Sequence, residues 1–415
     1  MSNSFSTLLN FIKDNKTWKE DLEQAPYCIK VKQCSFINEK GELCYPELYM
    51  LSYNMLESTF SEEIVRCCRG SIVSVEDLSN PKMICAPFYK FFNYGESNCA
   101  EIDWNSARVL EKVDGILIKL FNYKNKWIWV TNNGWDINQD CPTSLCSSFI
   151  EEETKNMKLF GELKDYALEY ALGKEKVNAF TNALSKDYTY MFELISPKNR
   201  IICDYPNTRL IFLGARSIYN YKEKTTEELK EICPILKSFR SPDKFDLKNM
   251  DEVLDLCNSY KDAFHEGVVI VDKDFNRIKI KCEYYLSLKG LKGEIGFTDQ
   301  KIFESLKSGS IDDAIGAFPE LIPQTERVKK TYIQFKNKIE NFCKEGLDKY
   351  IEFLNETSDV KCAKKLYAEW VFKTNTKYQR LLFEAIKEKS CLLNFINNYS
   401  YKEMEEEINA GQKDI

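Results

Sequence analysis

The stretch ARVLEKVDGILIKLFNYKNKWIWVTNNGW, residues Ala107–Trp135, sets the fold of the first part of this chain. Two runs rich in β-branched and aromatic residues, GILIKLF and KWIWVT, flank the turn-forming residues NYKN, and this pattern predicts a β-hairpin. Lys112, in the sequence Lys112-Val113-Asp114-Gly115, stands directly before the first run. A lysine in this place is either a surface charge ahead of a hairpin or a reactive amine, and the short motif leaves both interpretations open.

Similar strand-like runs extend from Tyr27 to about Ser287, which predicts a region of many short strands with a few helices. The run EGVVIV-DKDFN-RIKIKC predicts a second hairpin. Helices are predicted at Thr225–Leu236 and Leu247–Tyr260. After Leu286, three glycines in SLKGLKGEIG indicate a junction between two parts of the chain.

Beyond this junction the pattern becomes helical. A capping box at Ser310–Asp313 predicts the start of a helix. Apolar residues at intervals of four and three predict one buried helix face, formed by Val328, Tyr332, Phe335, Ile339 and Phe342. We therefore predict an α+β fold, with antiparallel sheets in residues 1–290 and an all-helical C-terminal domain in residues 291–415.

The composition limits the class of protein. Of 415 residues, 44% are hydrophobic and 29% are charged, as in a soluble globular protein of two or three domains. The sequence contains no run of about 18 apolar residues, so no transmembrane helix is predicted. The N-terminus lacks the features of a secretion signal. The 16 cysteines include no C-x-x-C pair, which favours buried free thiols over a zinc site. We expect a cytoplasmic protein in a reducing compartment, without a membrane partner.

The single histidine, His265, narrows the chemistry further. A Ser-His-Asp triad would depend on this one residue, and a site with several histidine ligands is excluded. The net charge of −6 is not that of a protein that coats long duplexes non-specifically, but it is compatible with a local basic groove.

Lys112 can act as a nucleophile only when its amine is neutral. Because lysine has a reference pKa near 10.4, holding such an amine neutral at pH 7 costs about 4.6 kcal/mol. Neighbouring cations, a metal ion or partial desolvation could supply this free energy. Gly115 would let the backbone pass close to a bound phosphate or sugar.

Two more lysines lie in the strand RIKIKCEYY. Lys279 and Lys281 are two residues apart, so both side chains leave the same face of the strand. They could form a clamp for a phosphate, or they could simply form a solvated strand face.

Two carboxylates stand in apolar strands. Glu193 interrupts YMFELI, and Glu266 opens the strand HEGVVIV, with Gly267 after it. A carboxylate in such a place needs a cation, a metal ion or a ligand hydroxyl. For each of them, a structural ion pair with a nearby lysine or arginine is the alternative.

Upstream, RCCRGSIV places Arg69 next to a glycine ahead of a strand, and PFYKFFNYGE places Lys90 next to aromatic residues. Arginine suits bidentate phosphate binding, and an aromatic ring such as that of Phe92 can stack on a base.

The order of these residues resembles the motif set of covalent nucleotidyltransferases, the superfamily of ATP-dependent nucleic-acid ligases and mRNA capping enzymes. That order runs through Lys112-x-Asp114-Gly115, Phe192-Glu193, Glu266-Gly267 and Lys279-x-Lys281. Flanking strings look like those of the RNA ligase 1 family, typified by the T-even phage enzyme: Cys68-Arg69-Gly70, Lys90-Phe91-Phe92-Asn93, Pro197-x-Asn199-Arg200-Ile201 and Tyr285-Leu286-Ser287-Leu288. The similarity covers most of residues 1–290 and implies an antiparallel, ATP-grasp-like ligase domain followed by a helical domain.

The resemblance implies an ATP-dependent RNA ligase. Lys112 would form a lysyl-AMP intermediate, the AMP would move to an RNA 5′-phosphate, and an RNA 3′-hydroxyl would then attack that end. Lys279 and Lys281 would neutralise the α-phosphate, and Arg69 and Lys90 the other phosphates. The remaining roles implied are ribose and metal binding by Glu193, a metal-side role for Glu266, and nucleotide contacts by Phe92, Asp114, Gly115, Gly267 and Tyr285.

The expected cofactors are ATP and Mg²⁺, with Mn²⁺ as a substitute. The expected partner is RNA with 5′-phosphate and 3′-hydroxyl ends, with a nicked tRNA as a family-based expectation and an end-healing kinase-phosphatase as a further partner. A DNA ligase, a capping guanylyltransferase and an inactive RNA-end-binding module are the alternatives. No β-rich segment follows the lysine clamp, whereas DNA ligases and capping enzymes usually carry an OB-type barrel there.

One position departs from the family pattern. Where the phage-type sequences have a lysine before a glycine, this chain has Asn133-Gly134. Either a phosphate contact is lost, or Lys119, Lys124 or Lys126 replaces it. In the C-terminal part, KKLYAEWVFKTNTKYQR interleaves basic and aromatic residues, which could form an RNA-docking face, but an amphipathic helix pair with buried aromatics is the favoured interpretation.

Overall fold

A computed structural model describes the chain over residues 3–36, 43–132, 134, 136–138, 149, 151–262, 264–288, 298–308, 311, 315, 321–374, 378–386, 395–396 and 398–410. The chain divides into two compact units, Met1–Gly296 with Ser310–Pro319 and Phe297–Gly309 with Glu320–Ile415. The predicted boundary at residues 290 and 291 and the capping box at Ser310–Asp313 lie outside the described residues.

The strands described in the first unit form three sheets. Sheet A has the order β1-β2-β3-β4, sheet B the order β11-β10-β9-β7-β8, and sheet C the order β12-β6-β13-β14-β5. Neighbouring strands are antiparallel, except that β14 and β5 are parallel. The strands are β1 Ile29–Gln33, β2 Leu48–Tyr53, β3 Arg69–Ser74, β4 Lys82–Cys85, β5 Phe92–Asn93, β6 Arg108–Lys112, β7 Ile116–Tyr123, β8 Lys126–Thr131, β9 Tyr188–Ile195, β10 Arg209–Ser217, β11 Glu223–Lys224, β12 Lys244–Phe245, β13 Gly267–Val271 and β14 Arg277–Lys281.

Both predicted hairpins are present. Strands β7 and β8 are joined by Lys124 and Asn125, which have positive φ angles of 47° and 65°, as a tight two-residue hairpin turn requires. Strands β13 and β14 form the second hairpin.

Helices pack against these sheets. They are α1 Ser4–Asp14, α2 Trp18–Glu23, α3 Glu63–Cys67, α4 Phe160–Leu172, α5 Lys174–Ala183, α6 Thr226–Ile232, α7 Met250–Ser259 and α8 Glu283–Leu288. The helix predicted over Thr225–Leu236 ends earlier, at Ile232. Pro234 lacks a backbone N–H for a longer α-helix and instead begins a 3₁₀ turn, Pro234–Ser238.

Strand β7 has a different environment on each face. Ile118 and Leu120 are fully buried against a cluster that includes residues of α4. On the opposite face, Phe121 packs with Ile72 and Met50 of sheet A. Sheet B therefore has helices on one face and sheet A on part of the other, which is why apolar residues continue along the strand on both faces.

The second unit is helical, as predicted. Its helices are α9 Asp299–Ser308, α10 Ile322–Thr357, α11 Val360–Lys373, α12 Gln379–Ala385 and α13 Tyr401–Ala410. The buried face of α10 contains Val328, Tyr332, Phe335 and Ile339, the stripe expected from the sequence. Tyr367 and Tyr378 are buried, as the amphipathic interpretation predicts, whereas Phe372 is 68% exposed.

The predicted fold class is confirmed, because mostly antiparallel sheets precede a helical C-terminal region. Within the residues that the structure describes, no helix combines the length and the apolar character needed to cross a membrane. Cys34, Cys85 and Cys203 are buried free thiols, in agreement with the interpretation of the cysteines.

Candidate active site

Three neighbouring strands of sheet C bring two predicted lysines together. Gly267 of β13 pairs with Lys112 of β6 on one side and with Lys281 of β14 on the other. Side chains at positions in register leave the same face of a sheet. A Cβ atom at Gly267, whose φ angle is +149°, would lie 2.0 Å from the Ile280 carbonyl oxygen, so a glycine is needed here. The residue that precedes it, Glu266, contacts both lysines.

Glu266 forms ion pairs with both lysines. Its Oε2 lies 2.7 Å from Nζ of Lys112, and its Oε1 binds Nζ of Lys281. The Glu266 side chain is 2% exposed, whereas that of Lys112 is 20% exposed. Burial opposes ionisation of Glu266, but the two ammonium groups outweigh it and lower its pKa to about 2. Glu266 is therefore a carboxylate that holds Lys112 at the end of its strand.

Glu193, on β9 of sheet B, reaches the same region because of Gly115. A Cβ atom at Gly115 would lie 2.5 Å from the Leu194 carbonyl oxygen and 2.9 Å from Cγ of Glu193. Only a glycine allows the loop after Lys112 to pass so close to β9. From the sequence we expect Gly115 to approach a ligand, whereas its close approach in the structure is to the strand that carries Glu193.

The Glu193 carboxyl has a pKa far from its usual value. Burial raises its pKa to about 8, and the nearby carboxylate of Glu266 adds to this effect, while the ammonium of Lys112 opposes it. A shift of this direction in a cleft is typical of a functional position.

Asp114 and Tyr285 bind each other beneath the loop that follows Lys112. One carboxylate oxygen of Asp114 accepts hydrogen bonds from the backbone N–H groups of Ile202 and Cys203, at 2.9 and 2.7 Å, and the other accepts one from the Tyr285 hydroxyl at 2.9 Å. Burial, and then the charge of Glu266, raise the pKa of Asp114. The carboxylate of Asp114 is thus engaged within the protein, and its predicted contact with a nucleotide stays a prediction.

One face of β14 carries three cations. Arg277, Lys279 and Lys281 alternate with buried Ile278 and Ile280. The two lysines were predicted from the sequence and Arg277 was not, although the same two-residue spacing extends to it. Lys281 also lies 4.9 Å from the ring of Tyr285, and Lys279 is 9% exposed.

A cavity of about 140 Å³ lies next to these residues. Three predicted site residues line it, Arg69, Lys112 and Glu193. Its remaining lining is mostly apolar, as in many small-molecule sites, and consists of Phe88, Phe91, Leu110, Glu111, Val113, Leu117, Leu213, Pro242, Val269 and Arg277. No sequence signal pointed to Phe88 or Leu213, because these residues reach the cavity from separate segments of the chain.

Arg277 connects two sheets at one side of this cavity. Its guanidinium binds both carboxylate oxygens of Glu223 on β11, at 3.0 and 2.5 Å, and lies 4.4 Å from the Phe88 ring. Arg216 binds the same Glu223 carboxylate. Although Glu223 is deeply buried, these two arginines keep its pKa below the usual value.

The upstream residues lie in two different environments. Arg69 lines the cavity, with its guanidinium 5.6 Å from the ring of Phe91. Phe92 is buried on β5, whereas its neighbour Phe91 lines the cavity, so the predicted nucleotide contact of Phe92 stays a prediction. Lys90 is 6% exposed, and its Nζ lies between 5.3 and 5.5 Å from the centroids of three rings, those of Tyr53, Phe60 and Phe92.

The three lysines considered as substitutes for the missing cation lie in three different environments. Lys124 forms ion pairs with Glu47 and Glu76 on the surface. Lys126 is exposed at the start of β8. Lys119 is completely buried, and its Nζ donates to the carbonyl of Gly70. Asn133 lies outside the described residues.

Two carboxylates of the site could take part in metal binding. Within the described part of the chain, no cluster of three or more His, Cys, Asp or Glu side chains could hold a metal ion. Glu193 lines the cavity, and a single carboxylate fits Mg²⁺, which binds through one or two carboxylates together with substrate phosphates and water. Glu266 already binds a lysine through each oxygen, so its predicted role as a metal ligand stays a prediction.

Comparison with known proteins relates this site to RNA joining. A family model described as RNA ligase matches residues 67–285. An RNA ligase of Rhodothermus phage RM378 is 25% identical over 358 residues, which cover 74% of this chain and 78% of that protein. A protein of Autographa californica nuclear polyhedrosis virus, described as a bifunctional polynucleotide kinase/RNA ligase, is 25% identical over 308 residues, which cover 71% of this chain but only 40% of that protein.

Similar solved structures carry related descriptions. An archaeal ATP-dependent RNA ligase has a TM-score of 0.44 and 12% identity, with 78% of each chain covered. A variant of the Naegleria gruberi RNA ligase with ATP and Mn has a TM-score of 0.32 and 14% identity, with 45% of this chain and 52% of that one covered.

The sheets and the matched residues define a member of the nucleotidyltransferase superfamily. Because the family model spans more than half of the sequence, the chain belongs to the RNA ligase family of the T4 RNA ligase 1 type. The predicted family, and the prediction that the protein is an RNA ligase, are confirmed at this level.

Proposed function

We propose that the chain is an ATP-dependent RNA ligase that joins an RNA 5′-phosphate to an RNA 3′-hydroxyl through a lysyl-AMP intermediate on Lys112. The observation that supports this most directly is the 2.7 Å contact between Nζ of Lys112 and Oε2 of Glu266. This contact lies at a cavity that Arg69 and Glu193 also line.

In the first step, the neutral amine of Lys112 attacks the α-phosphate of ATP. A P–N bond forms, the P–O bond to the β-phosphate breaks, and pyrophosphate leaves. The amine must lose a proton before it attacks. Because Glu266 has a pKa of about 2, it is a weak base, so we assign it the role of orienting Lys112. The proton passes to water at the partly exposed amine.

In the second step, an oxygen of the RNA 5′-phosphate attacks the same phosphorus atom. The P–N bond breaks, Lys112 recovers its amine, and the AMP is linked to the RNA end through a new pyrophosphate bond. In the third step, the 3′-hydroxyl of a second end attacks the RNA phosphate, loses its proton and displaces AMP.

Charge neutralisation and positioning supply most of the catalysis in phosphoryl transfer. We assign Lys279 and Lys281 to the α-phosphate, and Arg69 and Lys90 to the other phosphates. Glu193 would accept a hydrogen bond from the ribose hydroxyls. Gly115 and Gly267 bring the strands together, and Asp114, Tyr285 and Phe92 support the residues that make these contacts.

Mg²⁺, with Mn²⁺ as a substitute, would be held by Glu193 together with nucleotide phosphates. A bound divalent ion would neutralise the phosphate charge that develops as pyrophosphate leaves. We also propose RNA ends as the partner, for which a nicked tRNA is one candidate, and a separate end-healing kinase-phosphatase. The kinase part of the second suggestion is supported by the viral relative, whose description combines a polynucleotide kinase with an RNA ligase.

The experiment incubates the full chain with α-³²P-labelled ATP and a divalent ion, and then measures protein-bound label on a denaturing gel. We expect label in the parent and in Lys30→Ala, which removes an exposed strand lysine, and none in Lys112→Ala. Unlabelled parent protein, or label that survives in Lys112→Ala, would contradict the proposal. Labelling by GTP instead of ATP would indicate a capping enzyme, and joining of DNA ends alone would indicate a DNA ligase.

A further inference from the structure

Lys119 is a charged residue at a buried strand position, where an apolar residue is usual. It lies in the middle of β7 with no exposed surface, and Leu117 and Phe121, on the same face, are apolar. Its Nζ donates to the backbone carbonyl of Gly70 at 2.6 Å. Among the described residues, no carboxylate forms an ion pair with Lys119. A buried ammonium without a counter-ion is costly, so a reason beyond packing is needed.

The groups around Lys119 make the charge still less favourable. Burial, together with the nearby guanidinium of Arg69, lowers the pKa of Lys119 to about 8, although Cys85 and Cys34 act in the opposite direction. Burial also raises the pKa of Cys85 to about 11 and that of Cys34 to about 12, so both thiols keep their protons at neutral pH.

Gly70 lies at an irregularity of β3. Ser52 pairs with Arg69 and Leu51 pairs with Ser71, so Gly70 is an extra residue between the two pairs, as in a β-bulge. Its φ angle is +71°. A Cβ atom at Gly70 would lie 2.2 Å from the Asn132 carbonyl oxygen and 2.6 Å from Nζ of Lys119. The bulge therefore brings Gly70, Asn132 and the Lys119 ammonium to one point.

The residue before the bulge is Arg69, which lines the cavity. A bulge changes the direction of neighbouring side chains, so the conformation of Gly70 determines how Arg69 is presented. The hydrogen bond from Lys119 is a fixed support for that conformation, since the middle of β7 is held by strands on both sides.

We propose that Lys119 is a positioning residue for nucleotide binding, whose ammonium fixes the Gly70 bulge so that Arg69 faces the phosphates of the bound nucleotide. This inference rests on the function proposed above. It also offers an explanation for the missing lysine at Asn133, because Lys119 of β7 brings a cation to the same bulge that the Asn132 carbonyl approaches.

A purely structural role gives a different expectation. Removing a buried ammonium that has no counter-ion relieves its desolvation cost, which offsets the cost of the Gly70 carbonyl that loses its donor. Lys119→Met should therefore keep or raise the melting temperature while it weakens nucleotide use, whereas a residue needed only for folding would lower both together.

The experiment is a double-mutant cycle on the full chain. Lys119→Met, Arg69→Ala and the double variant are compared with the parent, with Lys30→Met as the control for removal of an exposed strand lysine. The measured quantities are the melting temperature, and the KM for ATP and maximal rate of lysyl-AMP formation. We expect Lys119→Met to raise the KM about tenfold, the loss expected from one charge-assisted hydrogen bond, and to add no further increase in the Arg69→Ala background.

Two results would overturn the inference. One is a KM in Lys119→Met equal to that of the parent, and the other is a full additional increase when Arg69 is already alanine. If Lys119→Met does not fold, Lys119→Leu replaces it in the same cycle, since leucine likewise cannot donate to the Gly70 carbonyl. A parent that forms no lysyl-AMP would refute the proposed function itself, whereas a labelled parent with an unaffected Lys119→Met refutes only the positioning role.

Discussion

Glu266 holds Lys112 by a 2.7 Å ion pair from a position where its own side chain is almost completely buried. The same carboxylate binds Lys281, so two cations share a single buried anion. Removing the Glu266 carboxylate would take this counter-ion from both ammonium groups. The local charge balance therefore depends on Glu266.

Glu266→Gln is expected to abolish lysyl-AMP formation and to lower the free energy of unfolding by about 3–5 kcal/mol, the usual cost of removing one partner of a buried ion pair. Lysyl-AMP formation is measured by labelling, and stability by urea unfolding. Glu101→Gln, at an exposed position, is the control. An active or equally stable Glu266→Gln variant would contradict the arrangement described here.

The ion pair between Glu266 and Lys112 should also make the stability of the fold depend on pH in the acid range. The pKa of Glu266 is lowered from 4.5 to about 2 in the folded chain. Its stabilising contribution is therefore complete above pH 4.5 and is lost as the pH falls towards 2. The difference in unfolding free energy between the parent and Glu266→Gln should shrink between pH 5 and pH 3, and a constant difference would disprove the assignment.

For Glu193 we predict a pH dependence of stability with the opposite sign. Its pKa is raised from 4.5 to about 8, so the folded chain binds a proton there that the unfolded chain has released, and stability falls as the pH rises through this range. Glu193→Gln should raise the melting temperature by roughly 2–4 °C at pH 8, and by less at pH 5, while nucleotide labelling decreases. Thermal unfolding at the two pH values tests this, and a larger gain at pH 5 would contradict it.

Tyr285→Phe tests the support beneath the loop that carries Lys112. It removes the hydroxyl that donates to Asp114 at 2.9 Å. A buried acceptor that loses its donor costs about 1–3 kcal/mol. We expect a lower melting temperature and slower lysyl-AMP formation, whereas Tyr219→Phe, at a ring that is 72% exposed, should change neither quantity.

Arg277→Ala tests a residue of the cavity lining that was not predicted from the sequence. We expect the KM for ATP to rise about tenfold, the equivalent of 1.4 kcal/mol. Arg277→Lys should be intermediate, since lysine keeps the charge but not the bidentate contact with Glu223. The KM of lysyl-AMP formation is the measurement, and Arg380→Ala, 91% exposed in the second unit, is the control. An unchanged KM would show that Arg277 is only a structural residue.

The parts of the fold that depend on local pattern could be predicted from the sequence. Alternation and turn residues identified both hairpins, and the helical spacing identified the buried face of α10. The order of Lys112, Glu193 and Glu266 also indicated residues that the structure brings to one region. These features depend on short stretches of chain, or on one motif order.

Other parts of the site depend on how separate sheets meet. Phe91, rather than Phe92, reaches the cavity, and Asp114 points into the protein towards Tyr285. The isolated strand GILIKLF does not show that Lys119 is buried, because its burial requires the packing of sheet A against β7. Contacts of this kind join residues far apart in sequence, and no local pattern encodes them.

The contact between Glu223 and Arg277 has a consequence for how the cavity could open. Sheets B and C are connected by the continuous chain Val113–Gly115, next to Lys112, and also by this ion pair between β11 and β14. A covalent link cannot dissociate, whereas an ion pair can. Separation of the two sheets beside Arg277 should therefore require this ion pair to break, whereas the chain next to Lys112 stays continuous and keeps the amine in place.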